Sequence, residues 1–217
     1  GKPAHVDGHQ GLMMDVTEKV NKIFTLYEKH GASNYLGECV SKTEHSIQCA
    51  MLAEKEDCPN EVVLGAFLHD IGHLIGLDQG LEEMITDQVN LGTRDHCKVG
   101  GDYLREMGFS DIVREIVAGH VQAKRYLVYK DQEYYKNLSS ASKKTLEHQG
   151  GPMTSEEAQA FEKSPLFDII VRMRTWDEKA KEPDIEMEPL EKYREMCVDF
   201  LEHQHNRFYM SGNNPLV

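Results

Sequence analysis

The chain has 217 residues, of which 40% are hydrophobic and 28% charged, and its formal net charge is −13. That length suits one large domain or two small ones and is enough to bury a proper core. The negative charge argues against broad binding to nucleic acid or an anionic membrane, which need a positive surface, and no apolar run approaches the roughly 20 residues of a membrane span.

Residues 1–12 (GKPAHVDGHQGL) lack periodicity and read as a flexible N-terminal arm. From Met14 to Lys29, Val16, Val20, Ile23, Phe24 and Tyr27 follow helical spacing, with Gly31 as a stop. Ser41-Lys42-Thr43-Glu44 is a capping box, in which Ser41 caps the backbone while Glu44 reaches back, and its helix should run to about Lys55. Asn60 is placed to cap a helix carrying Val62, Val63, Ala66 and Phe67. Residues 74–93 (LIGLDQGLEEMITDQVNLGT) break the pattern with glycines and acidic residues, which predicts an extended loop or lid with at most one short helix.

Helical periodicity resumes from Asp95 to Met107, with Gly108 as a stop and Ser110 as the next cap, and a long helix then runs through His120 towards Val128. Further helical segments fit 140–148, 155–163, 165–180 and 188–205, with Pro165 suited to a first turn. No alternating strand, internal repeat or low-complexity linker stands out, so 13–210 is expected to be a single all-α domain.

The five cysteines, at 39, 49, 58, 97 and 197, are odd in number and include no CxxC pair. That suits reduced thiols and a cytoplasmic location better than a disulfide framework. The unusual count is histidine, at 11. In chain order, His45 sits in the capped helix, His69-Asp70 is an adjacent pair followed by Gly72-His73, His96 opens a helix, His120 lies mid-helix, and Asp177 follows Trp176. Imidazole and carboxylate are the usual ligands of Zn, Fe and Mn. A carboxylate can bridge two metals while a neighbouring imidazole holds one of them, so an HD pair suits a dinuclear centre. Singly, each residue has an ordinary explanation in core packing or a solvated face. The ordered set on separate helices is what points to a metal site.

The segments NYLGE (34–38), EHSIQCA (44–50), FLHDIGH (67–73), DHCKVG (95–100), GHVQAKRYLV (119–128), LSSASKKTLEHQGGPM (138–153) and RTWDEKAK (174–181) carry a closer likeness. Over about residues 33–197 the chain resembles the HD-domain superfamily of metal-dependent proteins. The match is closest to the mixed-valent diiron oxygenases of the PhnZ type, which cleave carbon–phosphorus bonds. The resemblance implies an HD-domain helical bundle with a dinuclear centre in its core. One iron would be held by His45, His69, Asp70 and Asp177, and the second by Asp70, His96 and His120, with Asp70 bridging. His73 would contact substrate, and Lys124, Ser142 and Arg174 would hold the phosphonate. Thr145 and Gln149 lie one and two turns beyond Ser142 and can join that wall. Tyr35 and Glu38 match a substrate-responsive pair, in which the tyrosine covers an iron position in the empty site and the glutamate receives a substrate amino group.

The implied cofactors are two iron ions in the Fe(II)/Fe(III) state, with O2 as cosubstrate. The implied reaction is cleavage of a 1-hydroxyphosphonate, first among them 2-amino-1-hydroxyethylphosphonate, giving glycine and phosphate. The trimethylated analogue would give glycine betaine, and hydroxymethylphosphonate would give formate. An upstream 2-oxoglutarate-dependent phosphonate hydroxylase is the implied functional partner, with no nucleic acid or membrane. Two rival readings stand beside this one. A metal-dependent HD phosphohydrolase acting on a small phosphate ester would use the same ligands, and a helical binding protein would hold its metals structurally. The stretch between His73 and His96 is longer than the family pattern and is expected to form part of the site wall. Within the net charge of −13, Lys124-Arg125, Lys143-Lys144 and Arg172/Arg174 form basic islands beside the ligands, as a focused anion pocket requires.

Overall fold

The computed structural model describes residues 14–210, so the arm expected at 1–12 lies outside the described residues. Helix α1 (Val16–His30) starts where Asp15 accepts a hydrogen bond from the Glu18 amide, and α2 (Lys42–Lys55) starts on the expected capping box. Ser41 Oγ accepts from the Glu44 amide at 3.0 Å and Glu44 Oε1 accepts from the Ser41 amide at 2.9 Å. Next come α3 (Asn60–Leu68) and α4 (Ile71–Gln79). The α3 cap differs from expectation, because Asn60 is the first helical residue and the preceding Pro59 supplies no side-chain bond.

The region expected to be an extended loop holds the end of α4 and a hairpin of β1 (Glu83–Thr86) and β2 (Val89–Thr93). The strands are antiparallel, pairing Ile85 with Asn90 and Thr86 with Val89, with an irregularity between Glu83 and Ile85. Asp87 and Gln88 turn it, both at positive φ, 51° and 67°. That is the sense a two-residue hairpin needs, but the residues lack the Asn-Gly or Asp-Gly signature that announces it. Met84 and Leu91 are buried while Ile85 and Val89 face out.

Then follow α5 (His96–Glu106), α6 (Asp111–Lys130), a short α7 (Gln132–Asn137), α8 (Ser140–His148), α9 (Ser155–Glu162), α10 (Phe167–Lys179) and α11 (Leu190–Met210). Helix α10 begins two residues after Pro165, because Ser164 Oγ and its carbonyl take the Leu166 and Phe167 amides in a preceding turn. The architecture is all-α apart from the hairpin.

Helix α3 is apolar on every side, with Val62 through Leu68 all buried, which places it at the centre. Phe67 stacks on Phe24 (5.7 Å), Tyr27 (4.9 Å) and Tyr193 (5.0 Å). Burying such a ring stabilises the fold by about 2–3 kcal/mol, and Phe67 lies two residues before His69. The core cluster therefore anchors the HD pair directly. All five cysteines are free thiols, and no described helix is long and apolar enough to cross a membrane.

Candidate metal centre

Six elements bring their polar side chains to one point. His45 projects from α2, His69 caps the end of α3, Asp70 precedes α4, His96 opens α5, His120 lies in α6 and Asp177 in α10. The HD pair does not sit within one helix but at the junction of two. The chain breaks between α3 and α4, with Asp70 at φ −102°, ψ 12°. That break turns the two side chains together. Gly72 follows because its backbone packs on the His96 carbonyl, where no Cβ fits.

The geometry has two halves around Asp70. On one side His45 Nε2 is 2.9 Å and His69 Nε2 3.0 Å from Asp177 Oδ1, and Asp70 Oδ2 lies 3.5 Å and 3.2 Å from the same nitrogens. On the other side Asp70 Oδ1 faces His96 Nε2 at 3.5 Å and His120 Nε2 at 3.4 Å. Each carboxylate oxygen thus faces its own group of donors.

These donors fit metal ions. His45, His69 and His120 donate their Nδ1–H to the carbonyls of Ala180 (2.7 Å), Ala66 (2.7 Å) and Val117 (2.9 Å). Fixing that tautomer leaves Nε2 as a lone pair aimed inward. The Nε2 atoms of His45 and His69 approach to 3.2 Å, and those of His96 and His120 to 3.0 Å. Facing lone pairs repel unless a cation lies between them, and donors about 2.1 Å from one ion stand about 3.0 Å apart when at right angles. Burial would lower His69, but Asp70 and Asp177 outweigh it and hold it at about 9, while burial pushes His96 well below its usual value. Burial would raise both carboxyls, but Arg174 and His69 keep Asp177 ionised, and His69 and His120 keep Asp70 ionised.

His73 differs from the other imidazoles. Its Nδ1 accepts from the Thr93 amide at 3.1 Å, so its proton is on Nε2, which lies 4.0 Å from Asp70 Oδ1. Burial lowers it to about 4, only partly offset by Asp70. It is therefore a neutral donor beside the centre. The approach is possible because residue 92 is Gly, at φ 98°, with the His73 ring 2.6 Å from where a Cβ would sit.

A cavity of about 550 Å³ opens onto the centre, within the range of small-molecule sites. Lys124, one turn beyond His120 on α6, is 2% exposed. Its Nζ donates to Ser142 O (3.1 Å) and Thr145 Oγ1 (2.9 Å), both uncharged. Burial, with Arg174 adding to it, lowers Lys124 to about 7. Arg174 donates to Asp177 Oδ2 (2.8 Å), Ser142 Oγ (3.0 Å) and Glu178 Oε1 (3.0 Å). Gln149 also lines the cavity, and its buried Oε1 has no partner among the described residues.

The HD-domain family model matches residues 43–185. The chain belongs to the HD-domain family. It is 40% identical over 194 residues to an uncharacterised protein of Acanthamoeba polyphaga mimivirus, covering 89% of this chain and 87% of that one. It is 38% identical over 161 residues to the [1-hydroxy-2-(trimethylamino)ethyl]phosphonate dioxygenase (glycine-betaine-forming) of Leisingera caerulea, covering 74% and 79%. It is 36% identical over 186 residues to the hydroxymethylphosphonate dioxygenase of Gimesia maris, covering 86% and 90%. Within the HD-domain family it therefore stands with the phosphonate dioxygenases.

In this HD domain the expected residues converge: His45, His69, Asp70, His96, His120 and Asp177 form the cluster, and Tyr35, Glu38, His73, Lys124, Ser142, Thr145, Gln149 and Arg174 line the cavity with it. The basic islands divide. Lys124 and Arg174 face the cavity, whereas Arg125 turns to Glu157 (3.0 Å), Arg172 to Glu56 (3.1 Å), and Lys143 to the Lys136 carbonyl (3.3 Å). The Tyr35 ring lies flat on His45, 3.8 Å between centroids, and burial with Asp177 and Asp70 pushes its phenol well up.

Sequence reasoning missed Lys181, which pairs with Glu38 at 3.3 Å. Tyr134 hydrogen-bonds Glu178. Two cysteines near the cluster in sequence are also near it in space: Cys97 Sγ is 3.3 Å from His120 Nδ1, and Cys49 Sγ is 3.9 Å from His45 Nε2, its thiol pushed well up by burial. The hairpin is tied to α8 through His148, which accepts from Arg94 at Nδ1 (3.3 Å) and donates from Nε2 to Thr86 Oγ1 (2.7 Å).

Proposed function

We propose that this protein is an O2-dependent diiron oxygenase that cleaves the carbon–phosphorus bond of a small 1-hydroxyphosphonate. The observation that carries this reading is Lys124. It is an amine buried at the wall of the metal-facing cavity with only neutral oxygens for partners, and burial lowers it to about 7. Holding its proton there without a counter-ion is costly, and a phosphonate oxygen beside the centre supplies one. The names of two of the three relatives, both phosphonate dioxygenases, support the same substrate class.

His45, His69 and Asp177 would hold one iron, His96 and His120 the other, and Asp70 both. Mixed-valent Fe(II)/Fe(III) iron would supply the activation of O2 and the redox work. The chain's own residues position the substrate. Lys124, with Ser142, Thr145 and Arg174, holds the phosphonate group by charge-assisted bonds. His73 Nε2–H donates towards the substrate beside Asp70. Tyr35 covers the His45 side until substrate arrives, and Glu38 receives a substrate ammonium. The first substrate to test is 2-amino-1-hydroxyethylphosphonate, which would yield glycine and phosphate, ahead of its trimethylated analogue and hydroxymethylphosphonate. Such substrates require an upstream hydroxylase, for which a 2-oxoglutarate-dependent enzyme is the proposed partner.

The test is aerobic and anaerobic incubation of iron-loaded protein with the three hydroxyphosphonates and with phosphate monoesters. Phosphate release only with O2, and only from hydroxyphosphonates, is the expected result. Equal release without O2, or release from esters alone, replaces this reading with a metal-dependent phosphohydrolase.

A further inference from the structure

The lining of the cavity divides by chemistry. Lys124, Ser142, Thr145 and Arg174 make one part polar. Helix α4 adds Leu74 and Leu77, strand β2 adds Leu91, and the segment 33–41 adds Leu36. Leu74 and Leu91 are buried and Leu36 is half-buried, but Leu77 is 44% exposed. A single exposed leucine needs no explanation. One that shares a cavity with Leu36, Leu74 and Leu91 marks an apolar subsite.

Helix α4 carries this set outward from the centre. Asp70 at its N-cap, His73 with Leu74 one turn on, and Leu77 a second turn on all line the cavity, as positions three and four apart on one helix face can. At about 1.5 Å per residue, Leu77 lies roughly 10 Å along the helix axis from Asp70. A two-carbon phosphonate held at the centre does not reach that far, since an extended chain gains only about 1.2 Å per bond. Nor does it fill the space. Even at about 30 Å³ for each non-hydrogen atom, the share of a water in the liquid, it takes up less than about half of the cavity's 550 Å³.

We infer that Leu36, Leu74, Leu77 and Leu91 form a subsite for an alkyl chain, and that the favoured 1-hydroxyphosphonate carries a chain of about four to seven carbons. This rests on the phosphonate reading above and deepens it. With the phosphonate group at Lys124 and C1 beside Asp70 and His73, the chain runs along α4, past Leu74 to Leu77. Each methylene buried there raises affinity by about two- to fourfold. The exposed face of Leu77 leaves water in the same step, which adds to the gain. Neither effect is open to a substrate of one or two carbons.

The experiment measures dissociation constants by calorimetry on iron-loaded protein without O2, so that no turnover intervenes. The ligands are hydroxymethyl-, 1-hydroxyethyl-, 1-hydroxybutyl- and 1-hydroxyhexylphosphonate. In the wild type, affinity should rise about tenfold or more from the ethyl to the hexyl compound. Leu77→Ser should cut that rise by about three- to tenfold and change hydroxymethylphosphonate binding less than about twofold. Leu36→Ser should act in the same direction and serves if the first variant folds poorly; retained hydroxymethylphosphonate binding certifies either. Ile85→Ser, on the outward side of the hairpin, should leave the rise intact. A flat series in the wild type overturns the inference and leaves the phosphonate reading standing. A rise that survives both leucine substitutions, or that Ile85→Ser lowers equally, overturns it as well. A wild type that binds none of the four overturns the phosphonate reading itself, and this inference with it.

Discussion

The ligand cluster and the cavity rim are held in opposite ways. His45, His69, His96, His120 and Asp177 are buried on five helices, and three of the imidazoles are locked by carbonyls through Nδ1. The rim consists of the segment 33–41 and the hairpin, fastened by half-exposed contacts such as Glu38–Lys181 and Lys42 Nζ to Ser33 Oγ. Single ion pairs of that kind contribute about 0–1 kcal/mol, whereas breaking a buried charged pair costs about 3–5 kcal/mol. The geometry of the cluster is thus built into the core, while the rim is held by contacts that break cheaply.

Three substitutions test this division, in decreasing order of effect. Asp70→Ala should abolish the two-iron centre and lower phosphate release by about 1,000-fold or more, since both halves lose their shared oxygen donor. Iron-to-protein stoichiometry checks it, and a variant that keeps two irons and full turnover sinks the bridging role.

Lys124→Met comes next and should weaken phosphonate binding by about 10- to 100-fold, as loss of charge-assisted bonds implies. The pH dependence carries a sign. Lys124 sits near 7 in the folded protein against an ordinary 10.5, lowered first by burial and then by Arg174. A dianion binds its protonated form, so affinity should be full below about pH 7 and fall about tenfold per unit above it. The Met variant should lack that limb. Stability runs the other way. Between about 7 and 10.5 the unfolded chain holds the proton that the folded chain releases, so the Lys124 contribution to stability improves as pH rises.

The smallest effect is expected at the rim. Gln88→Gly places glycine at φ 67° in the hairpin turn, and should raise stability by about 0.5 kcal/mol, relief of the left-handed strain being partly offset by glycine's backbone entropy. Thermal unfolding with unchanged iron content is the check.

The same division explains what was legible in the sequence. Local rules located the helices: the Ser41–Glu44 box, Ser110 accepting from the Val113 amide, and Gly108 at φ 90° all appear where their residue types placed them. The convergence of the six side chains was legible from their order and the family resemblance, but its geometry was not, because nothing in the dipeptide His69-Asp70 announces a break between helices. The hairpin was hidden because Asp87-Gln88 carries no glycine and its strands are only four and five residues long. Lys181 was hidden for another reason. It meets Glu38 across 143 residues of chain, and no local pattern encodes a contact of that range.

His148 ties Thr86 and Arg94 to the end of α8, the helix that carries Ser142 and Thr145. Two walls of the chamber therefore meet at a single imidazole, so Thr86, Arg94 and the end of α8 share one joint. The segment bearing Tyr35 and Glu38 is fastened separately, through Lys42, Lys181 and the Asn34–Ser41 bridge.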